Sequence, residues 1–322
     1  MKIVILGGSG FIGTNALEYF KNNLFEVFNL DIVTPRNVDH INYWQQVDIC
    51  DFFSLKKVID EIQPDYLLHL AATTELNEKD GLDFYNANIE GVENVVRLCN
   101  KESSIKRVIF SSSMLVNIVG YNPKHTFDYN PSTLYGKSKV MGENIVFENY
   151  DTLTEFCIIR PTSIFGEWFG EPYKNFFDFV LNGSFYHPGG KACTKTYGYV
   201  GNTIYQIKKL FFAEKELIHG QVFYIGDNPP INISDWANEI AVVAGMKKPK
   251  EIPFFFFLLA ALYGDFLSKF GIKFPMTSFR LGNMTTDHVV DLESTYAVCG
   301  DAPVSRLMAV KNTFEWIKEH QL

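Results

Sequence analysis

The sequence predicts an α/β chain: a doubly wound parallel sheet carrying a smaller α+β lobe whose residues interleave with those of the sheet. Three observations carry that expectation. Short apolar runs recur at Lys2–Leu6, 27–30, 66–70, 108–110 and 156–159, of the kind that form strands buried on both faces. Helical patterns alternate with them as far as about residue 160, as in parallel strands joined by right-handed crossovers. Beyond that the pattern turns irregular. Residues 164–194 carry Trp168, Phe169, Tyr173, Phe176, Phe177, Phe179 and Tyr186 among Gly166, Gly170, Pro172, Gly183 and Pro188-Gly189-Gly190. Such a stretch suits a lobe closing over a flat, partly apolar ligand, although most of these rings will form that lobe's own core. Residues 198–212 read as a helix returning to the first unit. The expected division is 1–163 plus about 197–226 for the sheet domain, and 164–196 plus 227–322 for the second lobe.

The first strand runs straight into Gly7-Gly8-Ser9-Gly10-Phe11-Ile12-Gly13, and a helical pattern follows over 14–20. Strand, glycine-rich turn and helix form the context of a dinucleotide-binding turn. One glycine supplies the backbone angles, a second admits a pyrophosphate to the main chain, and a third allows close helix–strand packing. The helix N-terminus adds unpaired N–H groups and a partial positive charge. A plain tight turn is the blander explanation, but the second strand ends in Asp31, eighteen residues past Gly13. An acidic side chain there accepts hydrogen bonds from both ribose hydroxyls and repels a 2′-phosphate, which favours NAD over NADP. Arg36, five residues further, is the one feature that would suit the phosphorylated cofactor.

Tyr135 and Lys139 stand one helical turn apart, about twenty residues after Ser111-Ser112-Ser113. A phenol with a pKa of about 10 is a poor acid–base group at neutral pH. A lysine at i+4 on the same face favours the phenolate, and a serine from another segment can bond the same substrate oxygen. Alone, the pair fits an ordinary surface helix. Beside the glycine turn it predicts a proton-transfer site.

Composition narrows the function classes. A chain of 322 residues that is 47% hydrophobic buries a large core or two lobes sharing one. Its formal charge of −8 and lack of any basic stripe argue against nucleic acid. Cys50, Cys99, Cys157, Cys193 and Cys299 are odd in number, with no C-x-x-C pair, so neither a zinc site nor a disulfide framework is indicated. Cys50, Cys99 and Cys157 fall in expected core elements; Cys193 is expected in an exposed substrate loop. The first residues make a strand and turn in place of a charged leader, so no signal peptide and a cytoplasmic location are expected. The apolar run from Pro253 to Tyr263 is about ten residues long, short of the twenty or so a spanning helix needs. It reads as a helix packed in the second lobe or, less commonly, a surface helix touching lipid.

As a set, the G-x-x-G-x-x-G turn, the serine and Tyr-x-x-x-Lys resemble the short-chain dehydrogenase/reductase superfamily, in its extended branch of nucleotide-sugar epimerases and dehydratases. Other landmarks follow in order: Val47-Asp48-Ile49, His69-Leu70-Ala71-Ala72, Asn88 opening Asn-Ile-Glu-Gly-Val-Glu-Asn, Arg160-Pro161-Thr162, the segment from Lys195 to Val200, and Gly220 to Gly226. The likeness extends to Trp316. It implies a Rossmann-type domain binding NAD through Gly7, Gly10, Phe11, Ile12, Gly13, Asp31, Asp48, Ile49, Leu70, Ala71, Ala72, Asn88, Ser111, Tyr135, Lys139 and Pro161. It implies substrate contacts from Thr73, Ser113, Lys195 and Tyr199, and no metal. Tyr135 becomes the acid–base group, Lys139 lowers its pKa and bonds the nicotinamide ribose, and Ser113 orients the substrate oxygen. The family's helices beginning near Asn88 and Tyr135 pair across a two-fold axis, so a homodimer through a four-helix bundle is expected, with Ile89, Val92, Val95, Val96, Val140, Ile145 and Val146 supplying apolar positions.

The reaction is narrower than the family. Its 4,6-dehydratases carry an Asp-Glu pair just after the catalytic serine or threonine, and decarboxylases a Glu; here Met114 and Leu115 stand there and can do neither job. Redox at one sugar carbon remains, as a 4-epimerase or a 4-keto-sugar reductase of glycan biosynthesis. The segment Met114 to Gly120 departs from the family's Ser-x-x-Val-Tyr-Gly, so the sugar does not carry over. Two other readings stand. Ile252-Pro253, the phenylalanine-rich helix, Pro275-Met276-Thr277 and Asp287 to Asp291 also resemble the tail of the 3β-hydroxysteroid and sterol dehydrogenase branch. The third is a non-catalytic dinucleotide sensor. Lys174, Lys191 and Lys195 supply the cations a sugar diphosphate needs, which favours the first reading.

Overall fold

In a computed structural model that describes residues 1–76, 81–100, 104–171, 173–272 and 274–320, seven parallel strands form the central sheet. They are β1 (Lys2–Leu6), β2 (Glu26–Asp31), β3 (Trp44–Gln46), β4 (Tyr66–His69), β5 (Arg107–Ser111), β6 (Glu155–Pro161) and β11 (Gln221–Ile225), in the order β11-β6-β5-β4-β1-β2-β3. The expected strands are all present. Ile3, Val4, Ile5 and Leu6 are wholly buried, as a strand covered on both faces requires. Each such side chain removed from water contributes about 1.5–3 kcal/mol.

Helices α1 (Phe11–Asn22), α2 (Phe52–Ile62), α3 (Asn86–Leu98) and α4 (Leu134–Glu148) cross between the early strands. The cores on the two sides of the sheet are distinct. One gathers Val4, Leu67 and Val108 with α2, α3 and Val146 of α4; the other gathers Ile3, Ile5 and Ile109 with α1 and α6 (Val200–Phe212). Strand order reverses between β1 and β4, and ligands of such sheets bind at that crevice, beyond the carboxyl ends of the strands.

After β6 the chain makes the second lobe. It contains β7 (Ser163–Phe165), α5 (Tyr173–Leu181), β8 (Tyr186–Pro188), β9 (Thr194–Lys195) and β10 (Tyr197–Tyr199), with β10 parallel to β7. Following α6, α7 (Lys215–Ile218) and β11, the lobe resumes with β12 (Ile231–Asn232), α8 (Ile233–Val243), β13 (Lys250–Ile252), α9 (Phe254–Ser268) and α10 (Ser278–Thr285). Most of the aromatic residues between 165 and 177 form its core around Trp236: Phe165, Phe176 and Phe177 lie 4.8–5.5 Å from that ring. Helix α11 (Glu293–Cys299) returns to the sheet, where Cys299 joins the core beside α6 and the Thr295 hydroxyl donates to the Tyr224 carbonyl at 2.6 Å. Helix α12 (Arg306–His320) closes on α8.

Two expectations need correction. Cys193 is buried, its thiol directed at the Met284 carbonyl at 3.0 Å, because β9 is held under α10. Helix α9 is not packed into the lobe: of its fifteen residues only Phe257, Ala261 and Gly264 are buried. Its single neighbour of size is the eight-residue α10, too short to cover more than one stripe.

Candidate active site at the sheet switch point

The glycine turn lies between β1 and α1 and fits the expected division of labour. Gly7 has φ 84°, and a Cβ there would sit 2.5 Å from the Ala71 nitrogen; a Cβ on Gly13 would strike the Gly7 carbonyl at 2.3 Å. Both are required by the protein's own packing, which presses the turn against the 70–72 segment. Gly10 differs, since its Cβ would meet only the Gly7 carbonyl, at 3.3 Å. The open space there is what a pyrophosphate approaching the backbone needs. No side chain caps the N-terminus of α1, where Phe11 and Ile12 begin the helix, so its N–H groups face that space as an anion site. Asp31 ends β2 and accepts from the Ser9 and Val33 N–H groups at 3.0 and 3.1 Å, fixed beside the turn. Arg36 donates to the Trp168 carbonyl at 2.9 Å, tying it to the second lobe. These residues fit a dinucleotide with unmodified ribose.

Around this turn stand the other expected contacts. Asp48 follows β3, exposed, and its carboxylate caps the Cys50 N–H at 2.9 Å; Ile49 is buried against Gly91. The Leu70 N–H donates to the Leu6 carbonyl at 2.8 Å. Pro161 ends β6 beside Ile225. Asn88 is wholly engaged: its amide exchanges bonds with the Thr73 main chain at 2.9 Å each way and donates to the Ser138 hydroxyl at 2.8 Å. Its side chain thus ties the segment after β4 to α4.

Helix α4 starts at Thr133, whose hydroxyl accepts from the Gly136 N–H at 3.0 Å, a good N-cap. Gly136 has no room for a side chain: a Cβ would lie 2.3 Å from the Leu115 carbonyl. That contact seats α4 on the 3₁₀ turn Met114–Val116, which Ser113 caps, and so brings Ser113 to Tyr135. Ser113 Oγ accepts from the Leu115 N–H at 3.1 Å and lies close enough to Tyr135 to favour its phenolate. Lys139 lies with its ammonium 6.0 Å from the Tyr135 ring centre and donates to the Ser111 carbonyl at 3.0 Å. Ser113, Tyr135 and Lys139 are each at most 8% exposed, so water is largely excluded from the group.

The electrostatics depart from the sequence expectation. Burial pushes the Tyr135 phenol up to about 12, outweighing the lowering by Ser113. Lys139 is itself pushed down to about 8 by burial, with the Glu143 carboxylate pulling back. A lone buried ammonium is a weaker stabiliser of phenolate than the one-turn spacing suggests, because desolvation disfavours both charges.

The site also contains residues to which the motifs assigned no chemical role. His69 is buried behind Lys139 and driven down to about 3 by burial and that ammonium, so it stays neutral. A small cavity lined by His69, Asn88, Ser111, Ser112, Lys139 and Glu143 lies on this inner side. Glu143, one turn past Lys139, pairs with Arg160 through bonds of 2.9 and 2.7 Å, both side chains 1% exposed, and accepts from the Tyr129 hydroxyl at 2.8 Å. The i+4 spacing of Glu143 was visible in the sequence; its partner from β6 was not. The Tyr85 ring stands 6.3 Å from that of Tyr135.

The remaining substrate candidates lie in the second lobe. Lys195 on β9 is half-buried and donates to the Asn283 carbonyl at 2.6 Å. Burial lowers its pKa, and neighbouring Cys193 and Asp287 raise it. His288 beside it has its pKa lowered by burial and by Lys195. Tyr199 is 4% exposed, its hydroxyl shared between the Glu167 carboxylate at 2.7 Å and the Asn312 amide at 3.1 Å. Ending β10 in the lobe core, it belongs to the frame of the lobe. Among the described residues no cluster of His, Cys, Asp and Glu is arranged to hold a metal.

Comparison with known proteins agrees with this architecture. The chain is 27% identical over 322 residues, 98% of its length and 95% of the relative's, to an N-acetyl-alpha-D-glucosaminyl-diphospho-ditrans,octacis-undecaprenol 4-epimerase of Escherichia coli O157:H7. It is 26% identical over 77% of its length, and 71% of the relative's, to a 3-beta-hydroxysteroid dehydrogenase of Mycolicibacterium neoaurum. In fold it is similar to the UDP-glucose 4-epimerase of Thermus thermophilus, solved with NAD, at TM-score 0.74 and 18% identity over all of both chains. It is similar also to the UDP-glucuronic acid 4-epimerase of Bacillus cereus, at TM-score 0.75 and 19% identity over all of both chains. The pattern of the NAD dependent epimerase/dehydratase family matches residues 3–182, more than half of the sequence. The chain belongs to that family.

Proposed function

We propose that this protein is an NAD-dependent 4-epimerase of a diphosphate-linked sugar. One observation supports the reading: Ser113, Tyr135 and Lys139 are buried together beyond the carboxyl end of β5, on the side of the sheet reversal away from β1 and its glycine turn. NAD, held by the glycine turn, Asp31 and Lys139, supplies the taking and return of a hydride at the sugar carbon. Tyr135 takes the hydroxyl proton of that carbon and gives it back, while Ser113 donates to the same oxygen. Lys139, still mostly protonated near pH 7, lowers the cost of the phenolate, and the positive charge of a bound oxidised nicotinamide would add to it. Bringing the phenol from about 12 to about 7 takes roughly 7 kcal/mol, which two adjacent cations in a dry site can supply.

A return to the same carbon makes epimerisation the natural outcome, and Met114 and Leu115 offer no group to expel water from the sugar. In the second lobe Lys195 is the cation suited to the diphosphate, since Lys174 is paired with Asp178 at 2.7 Å. The 4-epimerase relative, 27% identical over nearly the whole chain, supports this reading. A homodimer through α3 and α4 is part of the proposal: Ile89, Val140 and Ile145 are only half-buried there, whereas Val92, Val95, Val96 and Val146 face inward.

The test is native mass spectrometry for retained NAD, then turnover of UDP-linked and polyprenyl-diphosphate-linked N-acetylhexosamines followed by NMR. Epimerisation at C4 is expected, and Tyr135→Phe should lower it by about 10²–10⁴-fold while NAD stays bound. Undiminished turnover in Tyr135→Phe would overturn the assignment, and light scattering at micromolar concentration tests the dimer.

A further inference from the structure

Helix α9 reads Phe-Phe-Phe-Phe-Leu-Leu-Ala-Ala-Leu-Tyr-Gly-Asp-Phe-Leu-Ser, apolar on nearly every face. Helices of that kind are ordinarily buried in a core or in a membrane. Here Phe257, Ala261 and Gly264, spaced i, i+4 and i+7, form the one stripe that docks on Leu281 of α10. The fit is close: a Cβ on Gly264 would collide with the Met276 carbonyl. Every other face is open. Phe255, Phe256, Leu259, Leu262, Phe266 and Phe270 are 47–66% exposed, and Phe279 at the start of α10 is 73% exposed. Among the described residues no helix is long and apolar enough to cross a membrane.

Charge singles out the occupant. Residues 246–286 hold six of the chain's 29 basic residues (Lys247, Lys248, Lys250, Lys269, Lys273 and Arg280) against two of its 37 acidic ones, Glu251 and Asp265. Asp265 accepts from the Ser278 N–H at 3.0 Å. A basic segment around an aromatic patch, on a chain of net charge −8, complements an anionic surface. Two copies meeting patch to patch would set one basic segment against another.

We propose that α9 and the tip of α10 seat this protein on an anionic lipid bilayer. The helix lies in the plane of the interface, its rings at the headgroup–acyl boundary and the lysines that flank it in sequence at the lipid phosphates. Helix α10 joins this seat to the candidate substrate lobe, because it receives α9 at Leu281 and offers the Asn283 carbonyl to Lys195. The seat does not depend on the epimerase reading.

The test is flotation of the full-length protein with vesicles of phosphatidylcholine, alone or mixed with phosphatidylglycerol. Wild type is expected to float with the anionic vesicles and to be released by salt. The triple variant Phe255→Ser/Phe266→Ser/Phe270→Ser, whose side chains support no core, should keep its melting temperature and bind about a hundredfold more weakly. Lys247→Gln/Lys248→Gln/Lys269→Gln should lose the preference for phosphatidylglycerol. Wild type remaining at the bottom of the gradient, or floating equally with the aromatic variant, would overturn the proposal. So would a dimer that the aromatic variant dissociates without any vesicle binding by wild type, since a second copy would then cover the patch.

Discussion

Helices α4 and α9 are both fifteen residues long, and they break the same burial rule in opposite directions. Helix α4 carries Tyr135, Ser138, Lys139 and Glu143 inside the protein, where charged groups are normally excluded. Helix α9 carries phenylalanine after phenylalanine into solvent. In α4 each buried polar group is answered by another: Lys139 by the Ser111 carbonyl, Ser138 by Tyr135 and Asn88, Glu143 by Arg160 and Tyr129. In α9 the exposed rings have no answer within the described residues. A satisfied inversion marks a site held ready for chemistry; an unsatisfied one marks a surface awaiting a partner.

The contrast can be broken most severely at the ion pair beneath α4. Arg160→Met leaves the Glu143 carboxylate buried and unpaired, which should cost about 3–5 kcal/mol, read as a lowered melting temperature. Adding Glu143→Leu to that variant should restore most of the loss, because no charge is then stranded. If Arg160→Met alone unfolds like wild type, the helix is not anchored by this pair.

A gentler probe is pH. Burial holds Lys139 at about 8 in the folded protein, while an unfolded lysine keeps its proton to about 10.5. Between those values the unfolded state binds more protons, so this lysine's contribution to stability rises with pH over that window and is flat below it. Wild type should gain up to about 3 kcal/mol relative to Lys139→Met between pH 8 and pH 10.5 in urea unfolding. A constant difference would mean the ammonium is better solvated than its surroundings indicate.

Smallest of all should be changes on the open face of α9. Phe255→Ser should alter stability by no more than about 0.5 kcal/mol, whereas Phe257→Ala, two residues on, should cost about 2 kcal/mol. Equal costs at the two positions would show that α9 is covered on more than one side.

Much of the fold was legible because apolar runs of strand length alternate with helical patterns, and buried parallel strands permit little else. The glycine turn, Asp31, Ser113, Tyr135 and Lys139 were legible for a similar reason: each is a local arrangement whose chemistry is tied to its spacing. The partners that finish the site were not. Arg160 reaches Glu143 from a strand seventeen residues away, and Asn88 reaches Ser138 across fifty. The same holds for Tyr199, which sequence position marks as a substrate contact and packing commits to Glu167 and Asn312.

By itself, then, the sequence determined the sheet and marked the glycine turn and the Ser113, Tyr135 and Lys139 candidates, because hydrophobic period, backbone freedom at glycine and one-turn spacing are properties of neighbouring residues. Tertiary structure alone decided the pKa values, the burial of Cys193 and the exposure of α9. Desolvation and coverage depend on which distant segments arrive, and composition does not specify that a phenylalanine helix will find only one short partner to lie against.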